Sequence, residues 1–182
     1  MQVDLVVIGG GPGGYSTAFR AADLGLKVAL IEREAKLGGT CLHVGCIPSK
    51  TLLHALGLRS EMKHYRGRGL SGDSPEIDLD ELRNWKQEVI NKLAKGIENL
   101  ARQRKVSVIR GEGRFVGPGV VVVETADEKL RVDYNYAVIA TGSRPIDIPD
   151  LSDISGVIDS SGALAIESIP EHLLIIGAGI IG

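Results

Sequence analysis

The 182-residue chain has little cysteine, few aromatic residues and no excess of positive charge. Two cysteines are too few for the dense disulfide framework of a small secreted domain. A formal net charge of −2 gives no basic surplus for nucleic acid or an anionic membrane. The apolar runs are too short to cross a bilayer, and the first residues lack the features of a secretory signal peptide. We therefore expect a cytoplasmic protein that binds small molecules or proteins, and neither nucleic acid nor membranes.

Hydrophobic residues make up 43% of the chain, enough for one well-buried domain and the beginning of another. Residues 3–8, VDLVVI, form a short β-branched run typical of a strand buried on both faces. Helical spacing follows over residues 15–25, with Gly25 as a plausible stop, and KVALIE at residues 27–32 predicts a second buried strand. Together these segments predict a βαβ unit.

Two helices are predicted in the next part of the chain. The apolar spacing from Leu42 to about Leu58 indicates the first. Asp78 with Glu81 three residues on resembles a capping arrangement that opens a second, longer helix. We interpret that helix as packed on the core, in preference to a partner-binding helix, through an apolar stripe of Leu82, Trp85, Val89, Leu93, Ile97 and Leu100.

The pattern then changes to short strands. Within residues 106–140, the runs VSVI, RFV, VVVVE and LRV are separated by turn residues and predict an antiparallel meander. YAVIATGSRP predicts a further buried strand that halts at Pro145, and residues 146–171 predict a connecting segment.

The end of the chain repeats its beginning. DLVVIGGGPGG and HLLIIGAGIIG share a strand-then-glycine pattern at an interval of 168 residues, which is too long for a solenoid repeat. We therefore expect two nucleotide-binding domains in tandem, the second beginning at residues 172–182.

Gly9, Gly11 and Gly14 have the spacing of a dinucleotide-binding turn. Glycines let backbone N–H groups at a helix N-terminus approach a pyrophosphate. Glu32, at the end of the second strand, could accept hydrogen bonds from ribose hydroxyls. The alternative is a glycine-rich turn without a ligand and an incidental surface glutamate. The motif alone does not separate FAD from NAD.

Cys41 and Cys46 in GGTCLHVGCIPSK allow three interpretations. Structural zinc needs four ligands, and of the four histidines only His43 lies between the cysteines. A purely structural disulfide would close a short loop and restrict the unfolded chain little. We therefore favour a redox pair over a zinc site or a structural staple, and we expect no metal.

A redox pair sets a geometric condition. In a regular helix, residues five apart have Cα atoms about 8 to 9 Å apart, whereas a disulfide tolerates about 4.4 to 6.8 Å. The helix must therefore start irregularly, which Gly45 and Pro48 permit. Lys50 would lie on the same helix face as Cys46 and add positive charge near a thiolate, or it is a solvated surface lysine.

Five stretches occur in the order seen in the flavin-dependent pyridine nucleotide–disulfide oxidoreductases: VVIGGGPGGY, IEREAKLGGTCLHVGCIPSK, GEGRF, AVIATGSRP and LLIIGAGIIG. The resemblance covers essentially the whole chain and corresponds to the N-terminal part of such an enzyme. Within the family the sequence most resembles the dihydrolipoamide dehydrogenase branch. Glutathione and mercuric reductases share the cysteine spacing, but CIPSK and the charged helix that starts at Trp85 favour the lipoamide branch.

The resemblance implies a three-layer α/β fold in which a parallel sheet and an antiparallel meander form a Rossmann-like FAD-binding domain. Its first segment would occupy residues 1–145, with a connecting segment at 146–171 and the start of an NAD-binding domain at 172–182. The FAD-binding residues would be Gly9, Gly11, Pro12, Gly13, Gly14, Glu32, Arg33, Gly38, Gly39, Thr40, Cys41, Cys46, Lys50, Gly113, Thr141, Gly142 and Ser143. Those that open the NAD site would be Gly177, Gly179 and Gly182.

Three residues would be catalytic by this resemblance. Cys41 would exchange with a dithiol substrate, Cys46 would lie against the flavin, and Lys50 would line the cofactor. The implied reaction oxidises protein-bound dihydrolipoamide with NAD⁺ as acceptor. The implied partners are the lipoyl-bearing proteins of 2-oxo acid dehydrogenase or glycine cleavage complexes, and a second copy of the enzyme in a homodimer.

The sequence departs from the family pattern in two ways. His43 stands where the family usually has asparagine. The family's His–Glu base, which comes from the C-terminal domain of the partner subunit, matches no residue here. We therefore expect residues 1–182 alone to be inactive, and the alternative to an enzyme is a non-catalytic FAD-binding fragment.

Overall fold

The computed structural model describes residues 1–69, 71–72, 75–146, 148–151 and 154–182. These residues form two compact units. The first combines Met1–His43 with Ile90–Ser143, and the second combines Val44–Val89 with Arg144–Gly182.

The first unit is built on a six-stranded sheet with the order β3-β2-β1-β6-β5-β4. The first four strands in this order are parallel and the last two pairings are antiparallel. The strands are β1 (Gln2–Ile8), β2 (Val28–Glu32), β3 (Ser107–Arg110), β4 (Glu112–Gly117), β5 (Val120–Glu124) and β6 (Lys129–Ile139). Helix α1 (Pro12–Asp23) connects β1 to β2, so the predicted βαβ unit is confirmed.

β6 belongs to both parts of this sheet. Its residues 129–133 pair antiparallel with β5, and its residues 133–139 pair in parallel with β1. The sequence analysis predicted two separate strands here, LRV and YAVI, and the structure has one continuous strand. The prediction that VSVI belongs to the meander was also wrong, because β3 pairs in parallel with β2. A long helix precedes β3, and such a crossover returns the chain in the parallel direction.

The two faces of the parallel sheet are buried against different partners. On one face, side chains of β1 and β2 pack with α1 and with the end of the long helix α4 (Leu79–Gln103), where Ala101 is buried. On the other face, Val6, Ala29 and Ile31 pack with valines of β5 and β6. Helices, parallel sheet and meander therefore form the three expected layers.

The helix predicted from Leu42 to Leu58 is divided in two. Helix α2 spans Gly39–Val44 and helix α3 spans Cys46–Tyr65. Gly45 separates them with φ −146° and ψ −114°, so the irregularity required between the cysteines is present. Asp78 caps α4 as predicted, since its Oδ1 accepts the N–H groups of Asp80 at 2.9 Å and Glu81 at 3.0 Å.

The buried stripe of α4 is displaced by one position from the prediction. Trp85, Leu93 and Leu100 are 40%, 42% and 40% exposed. The buried positions are instead Lys86, Ile90, Ala94 and Ala101. Of the predicted stripe, Ile97 packs half-buried against the core cluster. Small alanines at the neighbouring positions let the helix backbone approach the core closely, so the centre of the packed face lies one position on from the largest apolar side chains.

The second unit contains α3, the first turns of α4 and a short helix α5 (Ser160–Ala165). Arg83 Nη1 donates to the carbonyl of Ile166 at 2.9 Å, and Lys86 Nζ donates to the carbonyl of Leu164. Burial lowers the pKa of Lys86, with a further contribution from the Arg83 charge. The predicted connecting segment 146–171 therefore contains a helix whose last carbonyls are bound by α4; residues 147, 152 and 153 of that segment lie outside the described residues.

Residues 172–182 are exposed and have no strand, although their sequence predicts one. A strand is stable only when neighbouring strands accept and donate its hydrogen bonds, and the described residues supply no partner to HLLII. Among the helices of the described chain, none combines the length and apolarity needed to cross a membrane.

Candidate functional site

The turn between β1 and α1, residues 9–14, can be made only with glycine at two positions. Gly9 has φ +103°, and a Cβ on it would lie 2.2 Å from the carbonyl oxygen of Ala140. A Cβ on Gly14 would lie 1.7 Å from the carbonyl oxygen of Gly9. The turn, here called the glycine loop, therefore packs backbone on backbone at the carboxyl end of β1.

The glycine loop ends in the first turn of α1. Gly11 is the N-cap, without a side-chain hydrogen bond, and Pro12 follows it at the start of the helix. Gly13 is exposed, and a Cβ on it would meet nothing within 4 Å. The first N–H groups of a helix have no acceptor within the helix, and an anion is bound favourably at this end. The loop thus presents backbone N–H groups where Gly11 and Gly13 have no side chain.

Glu32 is fixed beside the glycine loop at the end of β2. It is 6% exposed, its Oε2 accepts the N–H of Gly10 at 2.6 Å, and its Oε1 accepts the N–H of Glu34 at 2.9 Å. A carboxylate has about four acceptor positions, so each oxygen keeps one for a hydroxyl group. The neighbouring Arg33 is exposed and pairs with Glu34 at 3.3 Å.

Gly38 and Gly39 lie against the glycine loop. The N–H of Gly38 donates to the carbonyl of Gly10 at 2.9 Å. Gly39 has φ +58°, and a Cβ on it would lie 2.7 Å from the Cα of Gly11. Thr40 is exposed, and Cys41 is half-buried in α2. The structure thereby brings the first cysteine to the segment that contacts the loop.

The remaining predicted residues of the first unit lie in two places. The chain after β6 passes the glycine loop, since the N–H of Ala140 donates to the carbonyl of Ile8 at 2.8 Å, and Thr141, Gly142 and Ser143 follow in exposed positions. Gly113 is on β4, where a Cβ would lie 3.2 Å from Cγ2 of Ile31. Gly113 therefore packs the meander on the sheet, and its role at a cofactor stays a prediction.

These residues fit the ADP part of a dinucleotide such as FAD. Close backbone approach at Gly11, open space at Gly13 and the fixed Glu32 carboxylate meet at the carboxyl ends of β1 and β2. Ligands of open parallel sheets bind at this edge. Arg33, Gly38, Gly39 and Thr40 follow along the same edge.

Cys46 and Lys50 belong to the second unit. Cys46 is the first residue of α3, and Ser49 Oγ donates to its carbonyl at 3.1 Å. Both Cys46 and Lys50 are exposed, one helical turn apart on the same face. The positive end of the helix dipole lies at Cys46, which stabilises negative charge there. The structure has no disulfide between Cys41 and Cys46.

The second glycine motif repeats the contact that defines the first. Gly177 has φ +109°, and a Cβ on Gly182 would lie 2.2 Å from the carbonyl oxygen of Gly177. The two glycines are five positions apart, as are Gly9 and Gly14. Gly179 has open space around it. The backbone turn is thus present without its strand, and its use for NAD stays a prediction.

Sequence reasoning missed three residues that hold the site. Gly10 binds Glu32, and the run of three glycines at 9–11 could have indicated it. Leu37 is fully buried, and its backbone N–H donates to Glu98 on α4 at 3.1 Å. No local pattern signals that contact between Leu37 and Glu98, because 61 residues separate its partners.

In the described part of the chain, no three His, Cys, Asp or Glu side chains gather as a metal site requires.

Comparison with known proteins places this geometry in a protein family. Residues 3–182 match the family described as pyridine nucleotide-disulphide oxidoreductase. Similar curated proteins are dihydrolipoyl dehydrogenases from Buchnera aphidicola subsp. Acyrthosiphon pisum at 47% identity, Vibrio parahaemolyticus at 44% and Staphylococcus aureus at 45%. Each match covers 100% of this chain and 38 to 39% of the relative, so the chain spans about two fifths of their length.

A similar solved structure is a Cu(II) complex of the HOCl-induced flavoprotein disulfide reductase RclA from Escherichia coli. It superposes with a TM-score of 0.75 at 29% identity, covering 90% of this chain and 34% of that one. The Rossmann-like, three-layer fold expected from the sequence is thus shared with a flavoprotein disulfide reductase.

Proposed function

The chain belongs to the pyridine nucleotide-disulphide oxidoreductase family, and on that premise we propose that its protein oxidises protein-bound dihydrolipoamide to lipoamide, with FAD as cofactor and NAD⁺ as acceptor. The family and the flavoprotein neighbour imply FAD. The observation that carries the proposal is that Cys41 lies two residues after the Gly38–Gly39 turn, which packs on the glycine loop. An exchanging thiol in that position would lie near a cofactor bound along the same edge.

Residues of the first unit would bind the cofactor. The N–H groups at the start of α1 would bind its pyrophosphate, and the Glu32 carboxylate would accept hydrogen bonds from a ribose hydroxyl. The chemistry that FAD supplies when bound is the transfer of two electrons from a dithiol couple to a nicotinamide. The glycine turn at 177–182 would begin the NAD site.

The cysteines would carry out thiol–disulfide exchange. One thiolate of the dithiol substrate attacks the sulfur of Cys41 in a Cys41–Cys46 disulfide, forming a mixed disulfide and releasing Cys46 as a thiolate. The second substrate thiol then attacks the substrate sulfur of the mixed disulfide, which releases Cys41. The substrate loses two electrons and two protons and leaves as a cyclic disulfide, while the cysteine pair is reduced. Lys50, one turn from Cys46, would stabilise the Cys46 thiolate by its positive charge.

The proposal includes the assembly in which the protein works. Its partners would be lipoyl-bearing proteins of 2-oxo acid dehydrogenase or glycine cleavage complexes in the cytoplasm, and the complete enzyme would be a homodimer. Residues 1–182 would exchange disulfides with dihydrolipoamide but would not turn over NAD⁺ alone, because the family's acid–base pair has no counterpart here. The dihydrolipoyl dehydrogenases at 43 to 47% identity support this choice of substrate.

Thiol–disulfide exchange provides the test. The oxidised chain is treated with dihydrolipoamide or with glutathione, and new thiols are counted by alkylation and mass spectrometry. We expect two new thiols with dihydrolipoamide in the wild type, and Cys41→Ser and Cys46→Ser to abolish the reaction, with Ser49→Ala as the matched control on α3. In the complete enzyme, reduction of oxidised glutathione or mercuric ion without turnover of dihydrolipoamide would refute the proposed substrate.

A further inference from the structure

Leu37 is held at both ends of its backbone by side chains. Its N–H donates to Oε1 of Glu98 on α4 at 3.1 Å. Its carbonyl oxygen lies 3.0 Å from Nε2 of His43 on α2. The Leu37 side chain is fully buried and fills the space beside Gly10, where a Cβ would lie 2.6 Å from its Cδ2. We call this arrangement of His43, Leu37 and Glu98 the Leu37 clamp.

The His43 contact fixes the hydrogen on the imidazole. A carbonyl oxygen can only accept, so Nε2 must carry the hydrogen that His43 donates. The same peptide unit donates its other group, the N–H of Gly38, to the carbonyl of Gly10 at 2.9 Å. His43 therefore holds one side of a peptide whose other side is bonded to the glycine loop.

Glu98 is itself held in place. Its Oε1 also accepts a hydrogen bond from Nη2 of Arg110, at the end of β3. The two side chains are 32% and 34% exposed, so solvent screens their charges only in part. Arg110 Nη1 is buried and has no partner among the described residues, and the guanidinium thus depends on Glu98. One carboxylate joins α4, β3 and the Leu37 backbone.

We propose that His43 and Glu98 are positioning residues, which fix residues 38–41 against the glycine loop and so set the orientation of Cys41. This inference rests on the proposed function, because it assigns the clamp to the segment that would bind FAD and carry the exchanging thiol. Neither side chain touches the reacting sulfur in this role. Each acts through Leu37, which precedes the Gly38–Gly39 turn directly.

Amide hydrogen exchange reports the strength of the hydrogen bonds in the Leu37 clamp, and it requires neither cofactor nor substrate. Glu98→Ala should raise the exchange rate of the Leu37 amide about five- to tenfold, the change expected for one lost hydrogen bond. His43→Ala should raise the exchange of the Gly38 amide by a similar factor, because the peptide loses its second anchor. The matched controls are Glu88→Ala, an exposed glutamate on α4, and His54→Ala, an exposed histidine on α3, neither of which should alter these amides.

Conservative variants separate positioning from a general loss of folding. Glutamine at position 43 places its amide N–H near the location of Nε2, whereas the shorter asparagine does not reach it. His43→Gln should restore slow exchange of Gly38, and His43→Asn should not. Glu98→Gln keeps an acceptor for the Leu37 N–H and should protect that amide, although the ion pair with Arg110 is lost.

The rate of alkylation by iodoacetamide reports the accessibility and reactivity of the Cys41 thiol. The rate at Cys41 should change at least about threefold in His43→Ala and return in His43→Gln, consistent with the loss and recovery of one hydrogen bond, while Cys46 serves as internal control. The proposal would be overturned if the amide exchange rates of Leu37 and Gly38 and the alkylation rate of Cys41 were the same in the wild type, in the alanine variants of His43 and Glu98, and in His43→Asn. Flavin titration is a separate readout. A wild-type chain that fails to bind FAD would count against the proposed function. The amide exchange and alkylation results would still decide whether His43 and Glu98 position residues 38–41.

Discussion

The carboxylate of Glu32 accepts a hydrogen bond from the backbone N–H of Gly10 at 2.6 Å, in a place where both residues are buried. The bond joins the end of β2 to the glycine loop after β1. Water cannot easily replace a buried acceptor. Glu32 therefore holds the glycine loop in shape, in addition to the ribose contact proposed for it.

Glu32→Ala should lower the free energy of unfolding by about 1 to 3 kcal/mol, because the Gly10 N–H would be left buried without an acceptor. Urea denaturation measures the change. Glu34→Ala is the control, since Glu34 is exposed and pairs with the exposed Arg33. Equal midpoints for the two variants would show that the Glu32 bond has no structural role.

Gly13 and Gly14 are adjacent in the first turn of α1 but differ in available space. A Cβ on Gly14 would lie 1.7 Å from the carbonyl oxygen of Gly9, whereas one on Gly13 would meet nothing within 4 Å. Gly14→Ala should destabilise the protein by about 1 to 3 kcal/mol through overpacking, and it should weaken flavin binding. Gly13→Ala should be neutral or stabilising. Thermal unfolding of both variants tests this, and equal tolerance would contradict the close packing of the loop.

Gly96 and Gly25 both have open space where a Cβ would be, but they differ in backbone conformation. Gly25 has φ +89°, whereas Gly96 lies inside α4. Gly96→Ala should raise the free energy of unfolding by about 0.5 to 1 kcal/mol through helix propensity. Gly25→Ala should lower it by about 1 kcal/mol, because the left-handed conformation disfavours a side chain. The same sign of change in both variants would refute this explanation.

Glu124 and Lys129 face each other across β5 and β6, with Nζ 2.6 Å from Oε1. The hydrogen bond from Lys129 and then its charge hold the pKa of Glu124 below its ordinary value of 4.5. A lowered carboxyl pKa contributes stability that is present above pH 4.5 and is lost as the pH falls through the lower, folded-state value. In Glu124→Gln, the free energy of unfolding should therefore decrease less than in the wild type as the pH falls below 4.5.

Denaturation midpoints measured against pH test this effect. Glu128→Gln, in the turn between the same two strands, is the control for the removal of one carboxylate. The difference between the wild type and Glu124→Gln should shrink at high salt, since the pair is exposed and salt screens it. A pH dependence unchanged in Glu124→Gln would contradict the assigned pair.

The first βαβ unit and the glycine loop were predictable because local patterns determine them. Buried strands have β-branched runs, a dinucleotide turn needs glycines at fixed positions, and Asp78 is a strong N-cap residue. The break at Gly45 was predictable from the disulfide geometry alone. In each case neighbours in the sequence supply the physical cause.

Errors arose where distant partners decide the outcome. VSVI has the same local pattern as a meander strand, and only its pairing with β2 makes it parallel. On α4, large side chains predicted a stripe of which Trp85, Leu93 and Leu100 are exposed, because the packed face depends on how closely Ala94 and Ala101 can approach the core. The contacts of Leu37 with His43 and Glu98 were absent from the prediction, since neither alters a local pattern.

Asp133 is the residue at which β6 changes from one partner to the other, pairing with Val120 on one edge and with Gln2 on the other. The two registers are therefore not independent. Inserting or deleting one residue in β6 would reverse the facing of every side chain beyond it, in the parallel sheet or in the meander. The turn at residues 125–128 can absorb a change of length, but β6 cannot. Length variation in this part of the molecule is thus confined to the turns, and the edge that bears Ala140 and Thr141 keeps its alignment with the glycine loop.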